Sequence, residues 1–142
     1  MIPESETGEL ILALHRATHA TLTALQARLA GLNLTASEIN ALAILATGQP
    51  RSIGELAAAT ATKPTTLTSV LDRLVRRGLV VRQLDPADRR SFLVSLTQDG
   101  RPVADRARAE MGALERAALA AVTGADLAGF RAVTQAIMEL PR

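Results

Sequence analysis

Ser52-Ile53-Gly54-Glu55-Leu56-Ala57, then Lys63-Pro64-Thr65-Thr66-Leu67-Thr68-Ser69-Val70-Leu71-Asp72-Arg73-Leu74-Val75-Arg76-Arg77-Gly78 is the stretch that decides the fold. Ser52 with Glu55 three residues on is a capping-box pattern, and it opens a short helix to about Ala59 that buries Ile53, Leu56 and Ala57. After the Thr60-Ala61-Thr62 turn, Pro64 stands where the first turn of a helix tolerates proline, and Gly78 supplies a left-handed stop after Arg77. Leu67, Val70, Leu71 and Leu74 share one face of that second helix. Thr65, Ser69, Asp72, Arg73 and Arg76 lie on or near the other. Two short helices joined by a tight turn are therefore expected, the second presenting small hydroxyls and arginines outward.

Outward from this pair, the period changes at Leu79. Leu79-Val80-Val81-Arg82-Gln83-Leu84 and Ser91-Phe92-Leu93-Val94-Ser95-Leu96 are β-rich runs flanking Asp85-Pro86-Ala87-Asp88-Arg89-Arg90, which predicts a hairpin with a charged tip. Upstream, Thr35-Ala36-Ser37-Glu38 is another capping box, Thr35 accepting a backbone bond while Glu38 reaches back, and it opens a helix to about Ala46 with Ile39, Leu42 and Leu45 inward. Apolar residues at helical intervals from Leu10 to Leu32 predict one long amphipathic helix ended by Gly31 and Asn33. Downstream, Asp99-Gly100-Arg101-Pro102 starts an Ala-rich helix to about Val122. Thr123 and Asp126 then cap a last helix with Leu127, Phe130, Val133, Ile137 and Leu140 in an apolar stripe. Phe92 and Phe130 are expected in the core.

The chain has 142 residues, enough to bury a core without disulfides or a structural metal. It has no cysteine, which excludes disulfides, thiolate zinc sites and thiol oxidant sensing. The start Met1-Ile2-Pro3-Glu4-Ser5-Glu6 is acidic, and no run of 18 apolar residues follows it, so a cytoplasmic protein without membrane attachment is expected. Net charge is only +2, but it is unevenly placed. Residues 51–90 carry eight basic groups (Arg51, Lys63, Arg73, Arg76, Arg77, Arg82, Arg89, Arg90) against four acids (Glu55, Asp72, Asp85, Asp88), leaving the rest of the chain slightly acidic. A local basic surface on a nearly neutral chain is the footprint of phosphate binding.

Helix, helix, turn, helix and charged hairpin, in that order, is the plan of a mainly α fold with a small β-hairpin, the winged helix-turn-helix. The major groove of B-DNA admits one helix, and short hydroxyl side chains with arginines let it approach the base edges; Thr65, Thr66, Ser69 and Arg73 meet that need. Arginines at the helix end and on the hairpin can meet phosphate or the narrow minor groove. The order and spacing of Leu34-Thr35, Ile53-Gly54-Glu55-Leu56-Ala57, Leu71-Asp72-Arg73-Leu74-Val75-Arg76-Arg77-Gly78-Leu79-Val80 and Asp85-Pro86-Ala87-Asp88-Arg89-Arg90 before Val94-Ser95-Leu96-Thr97-Gln98-Asp99-Gly100 resemble the multiple-antibiotic-resistance-regulator (MarR) family.

That resemblance implies one domain over 1–142, with a winged lobe at 35–100 and dimerisation helices at 4–33 and 101–140. It implies a homodimeric, sequence-specific regulator of transcription on a pseudo-palindromic operator, a repressor released by a small-molecule effector, with no cofactor and no catalytic activity. It makes Lys63–Arg77 the recognition helix, Arg90 the wing-tip arginine for the minor groove, and Asp88 the acid that holds the wing arginine. The DNA-binding set is thus Lys63, Thr65, Thr66, Ser69, Arg73, Arg76, Arg77, Asp88, Arg89 and Arg90.

Each member has a plainer reading. Arg73, Arg76 and Arg77 are also what a helix C-terminus attracts, and the hydroxyls are also ordinary surface. His15 and His19, four apart on one helix, can put two imidazoles on one metal, but they are the only histidines and no cysteine assists. They are the candidates for a polar contact in a ligand pocket whose lining no motif defines. The rival function is a winged-helix module for protein–protein contact without operator binding, against which stand the arginines on both helix and wing. An enzyme finds no support in a nucleophile arrangement or a Gly-rich phosphate loop.

Overall fold

Thr35, Ser52 and Thr123 each hold extended backbone while the side-chain oxygen accepts the amide three residues on, and each starts a helix. These caps set the frame of the computed structural model, which describes residues 8–141; the acidic start and the first four positions of the expected dimerisation range 4–33 lie outside the described residues. In chain order the elements are α1 (Glu9–Arg28), α2 (Ala36–Leu45), β1 (Arg51–Ser52), α3 (Ile53–Thr60), α4 (Pro64–Arg76), β2 (Val80–Leu84), β3 (Phe92–Leu96), α5 (Gly100–Ala118) and α6 (Gly124–Met138). The positive φ of Gly31, Asn33 and Gly78 ends α1 and α4 where expected.

The strands form a three-stranded antiparallel sheet in the order β1-β3-β2. Its hairpin pairs Val80 with Leu96 and Leu84 with Phe92. Sequence reading gave the hairpin but not β1, where Arg51 and Ser52 pair with Val94 and Leu93. The strand has two residues, too few for any period to show. It joins the start of α3 to the hairpin.

The main core joins α2 (Leu42, Leu45), α3 (Leu56), α4 (Leu67, Val70, Leu71, Leu74), the sheet (Val80, Val94) and the start of α5 (Ala104). A second cluster, Leu29, Ile39 and Ala107, ties the end of α1 and α2 to α5. Burying side chains of this size stabilises by roughly 1.5–3 kcal/mol each before entropy is charged. Arg28 adds a salt bridge to Glu110 at 3.2 Å, and Arg106 donates to the Arg28 carbonyl.

Three local expectations are corrected. α5 stops at Ala118 rather than near Val122, because Thr123 must be extended to cap α6, where its hydroxyl takes the Asp126 amide and the Asp126 carboxylate takes the Thr123 amide. Glu38 and Glu55 do not complete their boxes as that Asp does; Thr35 and Ser52 accept the forward amide, and the reciprocal bond is absent among the described residues. Phe92 and Phe130 are not core: they are 46% and 61% exposed. Phe92 stands on the outer face of the wing opposite Leu84, and Phe130 belongs to an apolar stripe of α6 that borders a groove with α1 and stays largely exposed.

Candidate nucleic-acid interface

α4 is built to be exposed on one side. Its buried face is Leu67, Val70, Leu71 and Leu74, while Lys63, Thr65, Thr66, Ser69 and Arg76 are exposed and Arg73 is half-buried. Lys63 is the N-cap residue and Pro64 the first helical one, so the positive helix end carries no capping side chain. Thr65, Ser69 and Arg76 fall within a narrow arc opposite the core, with Arg73 at its edge. Thr68, between the faces, returns its hydroxyl to the Pro64 carbonyl.

The wing tip is shaped by its two aspartates. Asp85 accepts the Ala87 amide at 2.9 Å; Asp88 accepts the Arg90 amide at 3.0 Å and the Ser91 hydroxyl at 3.2 Å. Such side-chain-to-backbone bonds two residues on mimic a turn and hold it without a longer scaffold. Asp88 therefore acts on the main chain of Arg90, not on a guanidinium. Arg89 and Arg90 are exposed, and neither forms a salt bridge among the described residues. Further down the wing, Arg82 on β2 pairs with Asp72 on α4. That pair links the orientation of the hairpin to the outer face of α4.

Glu38 is the residue that sequence reading placed in the wrong interaction. It is buried, and its carboxylate crosses to α4, 3.1 Å from Arg73 Nε and 3.5 Å from Arg77 Nη1. Arg77, expected among the DNA-contacting residues, also donates to the carbonyls of Asn33 and Leu32 at 2.9 and 2.6 Å, so its guanidinium is engaged by the α1–α2 corner. The only sequence signal was an acid at the third position of a largely apolar helix, and the capping box explained it equally well.

Two hollows involve the helices outside this lobe. The larger, about 590 Å³, lies among α1, α2 and α5, with Thr18, Leu22, Leu25, Asn40, Arg108 and Met111 in its wall. The other, about 320 Å³, is an apolar groove between α1 and α6 that includes Leu14, Phe130 and Val133. His15 and His19 are exposed on α1 and line neither. Among the described residues no helix is long and apolar enough to cross a membrane.

A helix pair held by β1, an outward polar face on the second helix, and an arginine-tipped hairpin bonded to that helix define a winged helix-turn-helix protein. Residues 31–91 match the family model described as MarR family. The chain is 38% identical over 72 residues to the HTH-type transcriptional repressor NicR of Pseudomonas putida, a match over 51% of this chain and about half (46%) of that relative. It is 27% identical to the crystal structure of CouR from Rhodococcus jostii RHA1 bound to p-coumaroyl-CoA, with 99% of both chains covered and a TM-score of 0.82. With a mutant MarR from E. coli complexed with operator DNA it shares 25% identity over 99% of this chain and 100% of the other, at a TM-score of 0.75. The chain is thus similar to MarR-family regulators: the family model matches its central 31–91 segment, and the likeness to solved members extends over nearly the whole chain.

Proposed function

We propose that this protein is a homodimeric, operator-binding regulator of transcription, acting as a repressor that a small-molecule ligand releases. The observation that carries the reading is the exposure of cations on both α4 (Lys63, Arg76) and the wing tip (Arg89, Arg90), with the hairpin bonded to α4 through Arg82 and Asp72. Two elements from different parts of the lobe present unpaired arginines and short hydroxyls together, and the likeness to a family member crystallised on operator DNA extends over the full chain. In this reading the lobe at 35–100 carries the contacts. Thr65, Thr66, Ser69 and Arg73 address base edges; Lys63 and Arg76 meet phosphate; Arg89 and Arg90 enter the minor groove, with Asp88 setting the tip.

The helices at 4–33 and 101–140 supply the dimer. Leu10, Ile11 and Leu12 on α1, and Phe130, Val133, Met138 and Leu140 around α6, are exposed in the single chain, more apolar surface than a monomer ordinarily leaves to water. A second copy buries it and puts two recognition helices one DNA turn apart. The hollow among α1, α2 and α5 is the effector site of this reading: it lies between the dimer helices and the lobe, and CouR shows that a family member takes a small molecule.

An electrophoretic mobility shift with the intergenic DNA upstream of the gene tests the reading. A discrete complex that survives excess non-specific competitor and shows two-fold symmetric protection in footprinting is expected, with twice the chain mass by sedimentation. A stable monomer, or no preference for that DNA over competitor, overturns it in favour of a protein-interaction module.

A further inference from the structure

Glu38 is the buried charged residue of the described chain, 3% exposed, and a carboxylate is withdrawn from water only against compensating partners. Its two partners are held differently. Arg77 is fixed by hydrogen bonds to the Leu32 and Asn33 carbonyls, and meets Glu38 Oε2 only as an ion pair at 3.5 Å, without a hydrogen bond. Arg73 is held by one edge: its Nε donates to Glu38 Oε1 at 3.1 Å, its side chain remains 42% exposed, and neither Nη has a hydrogen-bond partner among the described residues. An arginine that reads a guanine edge does so with two N–H groups in a fixed fork. On an exposed helix such a side chain samples many rotamers and loses them on binding. Pinned at Nε, Arg73 holds one setting before DNA arrives and keeps its Nη pair for a base.

We propose that Glu38 is a specificity-determining positioning residue of the DNA-reading helix, fixing Arg73 through its Nε and, with Arg77, anchoring that setting to the α1–α2 corner. This rests on the DNA-binding function proposed above. A carboxylate suits the role because its two oxygens serve two guanidinium groups from one buried point, where an amide offers a single acceptor.

The test is a double-mutant cycle read as an affinity ratio, upstream duplex over scrambled duplex, at fixed salt. Glu38→Met keeps the bulk and removes both acceptors; it is expected to lower the ratio by about tenfold, within the range for one good bidentate base contact. Glu38→Gln, which keeps one acceptor for Nε, should restore most of it. In an Arg73→Ala background Glu38→Met should change the ratio no further, because the residue acts through Arg73. A purely structural role predicts parallel loss on both duplexes and the same loss in the Arg73→Ala background; either result overturns the proposal. If Glu38→Met does not give a native circular dichroism spectrum, Glu38→Asp, one methylene short of Arg73, replaces it with the same fall expected, and an unchanged ratio overturns the proposal. Absence of any preference in the unaltered protein removes the DNA-reading function and this inference together, whereas a clear preference indifferent to Glu38 removes the inference alone.

Discussion

Replacing Gly100 with Ala should destabilise the protein although the same change elsewhere in α5 stabilises it. Gly100 is buried at the start of α5, where the wing joins that helix. A Cβ there would stand 1.8 Å from the Leu79 carbonyl oxygen and 2.7 Å from its carbon. Ordinary carbon–oxygen contacts begin near about 3.3 Å, so helix and strand must part by more than an ångström. The Leu79 oxygen accepts the Thr97 amide at 3.1 Å, and Thr97 Oγ1 donates to the Gly78 carbonyl while accepting the Gly100 amide. That separation disrupts the root of the wing.

Overpacking of this kind costs about 1–3 kcal/mol and a strained or lost backbone bond about 1 kcal/mol, against a helix-propensity gain of about 0.5–1 kcal/mol. The net is a loss of roughly 1–3.5 kcal/mol. Gly112, further along α5, is the control: its added Cβ meets only the end of the Arg116 side chain at 3.3 Å, which can swing aside, leaving the gain of about 0.5–1 kcal/mol. Thermal melts at one fixed protein concentration, which keeps any self-association constant, should show Gly100→Ala lower by about 3–10 °C and Gly112→Ala slightly higher, at roughly 3 °C per kcal/mol. A Gly100→Ala protein melting at or above the parent would refute the packing argument.

Arg90→Ala should weaken binding to all duplexes and reduce the log–log salt slope by up to about one per subunit, while Ser69→Ala should alter which upstream variants bind and leave that slope alone; gel shifts across a salt series separate the two. Asp88→Ala removes the acceptor of the Arg90 amide and the Ser91 hydroxyl, so DNA affinity should fall toward that of Arg90→Ala with less than about 1 kcal/mol lost from the exposed turn, measured by melts beside gel shifts. The Thr123 amide, then the Thr123 hydroxyl, hold the Asp126 carboxyl below its ordinary value of 3.8. A depressed folded value means the stabilisation is complete above the ordinary value and is lost as pH falls through the lowered one. The melting difference between the parent and Asp126→Asn should accordingly be constant from neutral pH to about pH 5 and shrink below pH 4; a difference that grows on acidification would contradict the capping geometry.

The helices were legible because their determinants are local. Thr35, Ser52 and Thr123 each cap from three residues away, Pro64 and Gly78 bracket α4 from within it, and the period of Leu67, Val70, Leu71 and Leu74 states which face is inward. The hairpin was legible from its two β-rich runs and the aspartate-built tip. The outward face of α4 was legible by subtraction, as what the core face leaves over; the exposure of Thr65, Thr66, Ser69 and Arg76 follows from the same periodicity.

By itself the sequence determined the order of elements, the inward face of each central helix and the cationic composition of one lobe, because those depend on spacings shorter than two helical turns. Only the tertiary structure decided the rest. β1 exists because Arg51 and Ser52 arrive beside β3. Glu38 turned from its own helix end to Arg73, 35 residues away, since a buried carboxylate gains more from a guanidinium than from one further amide. Arg77 was drawn inward to the α1–α2 corner by carbonyls that no spacing reveals, and Arg73 was left held by one edge. Phe130 stayed outside because, among the described residues, the α1–α6 groove it borders leaves it 61% exposed. In each case two local solutions satisfied the same residue, and distance in space, which sequence does not carry, chose between them.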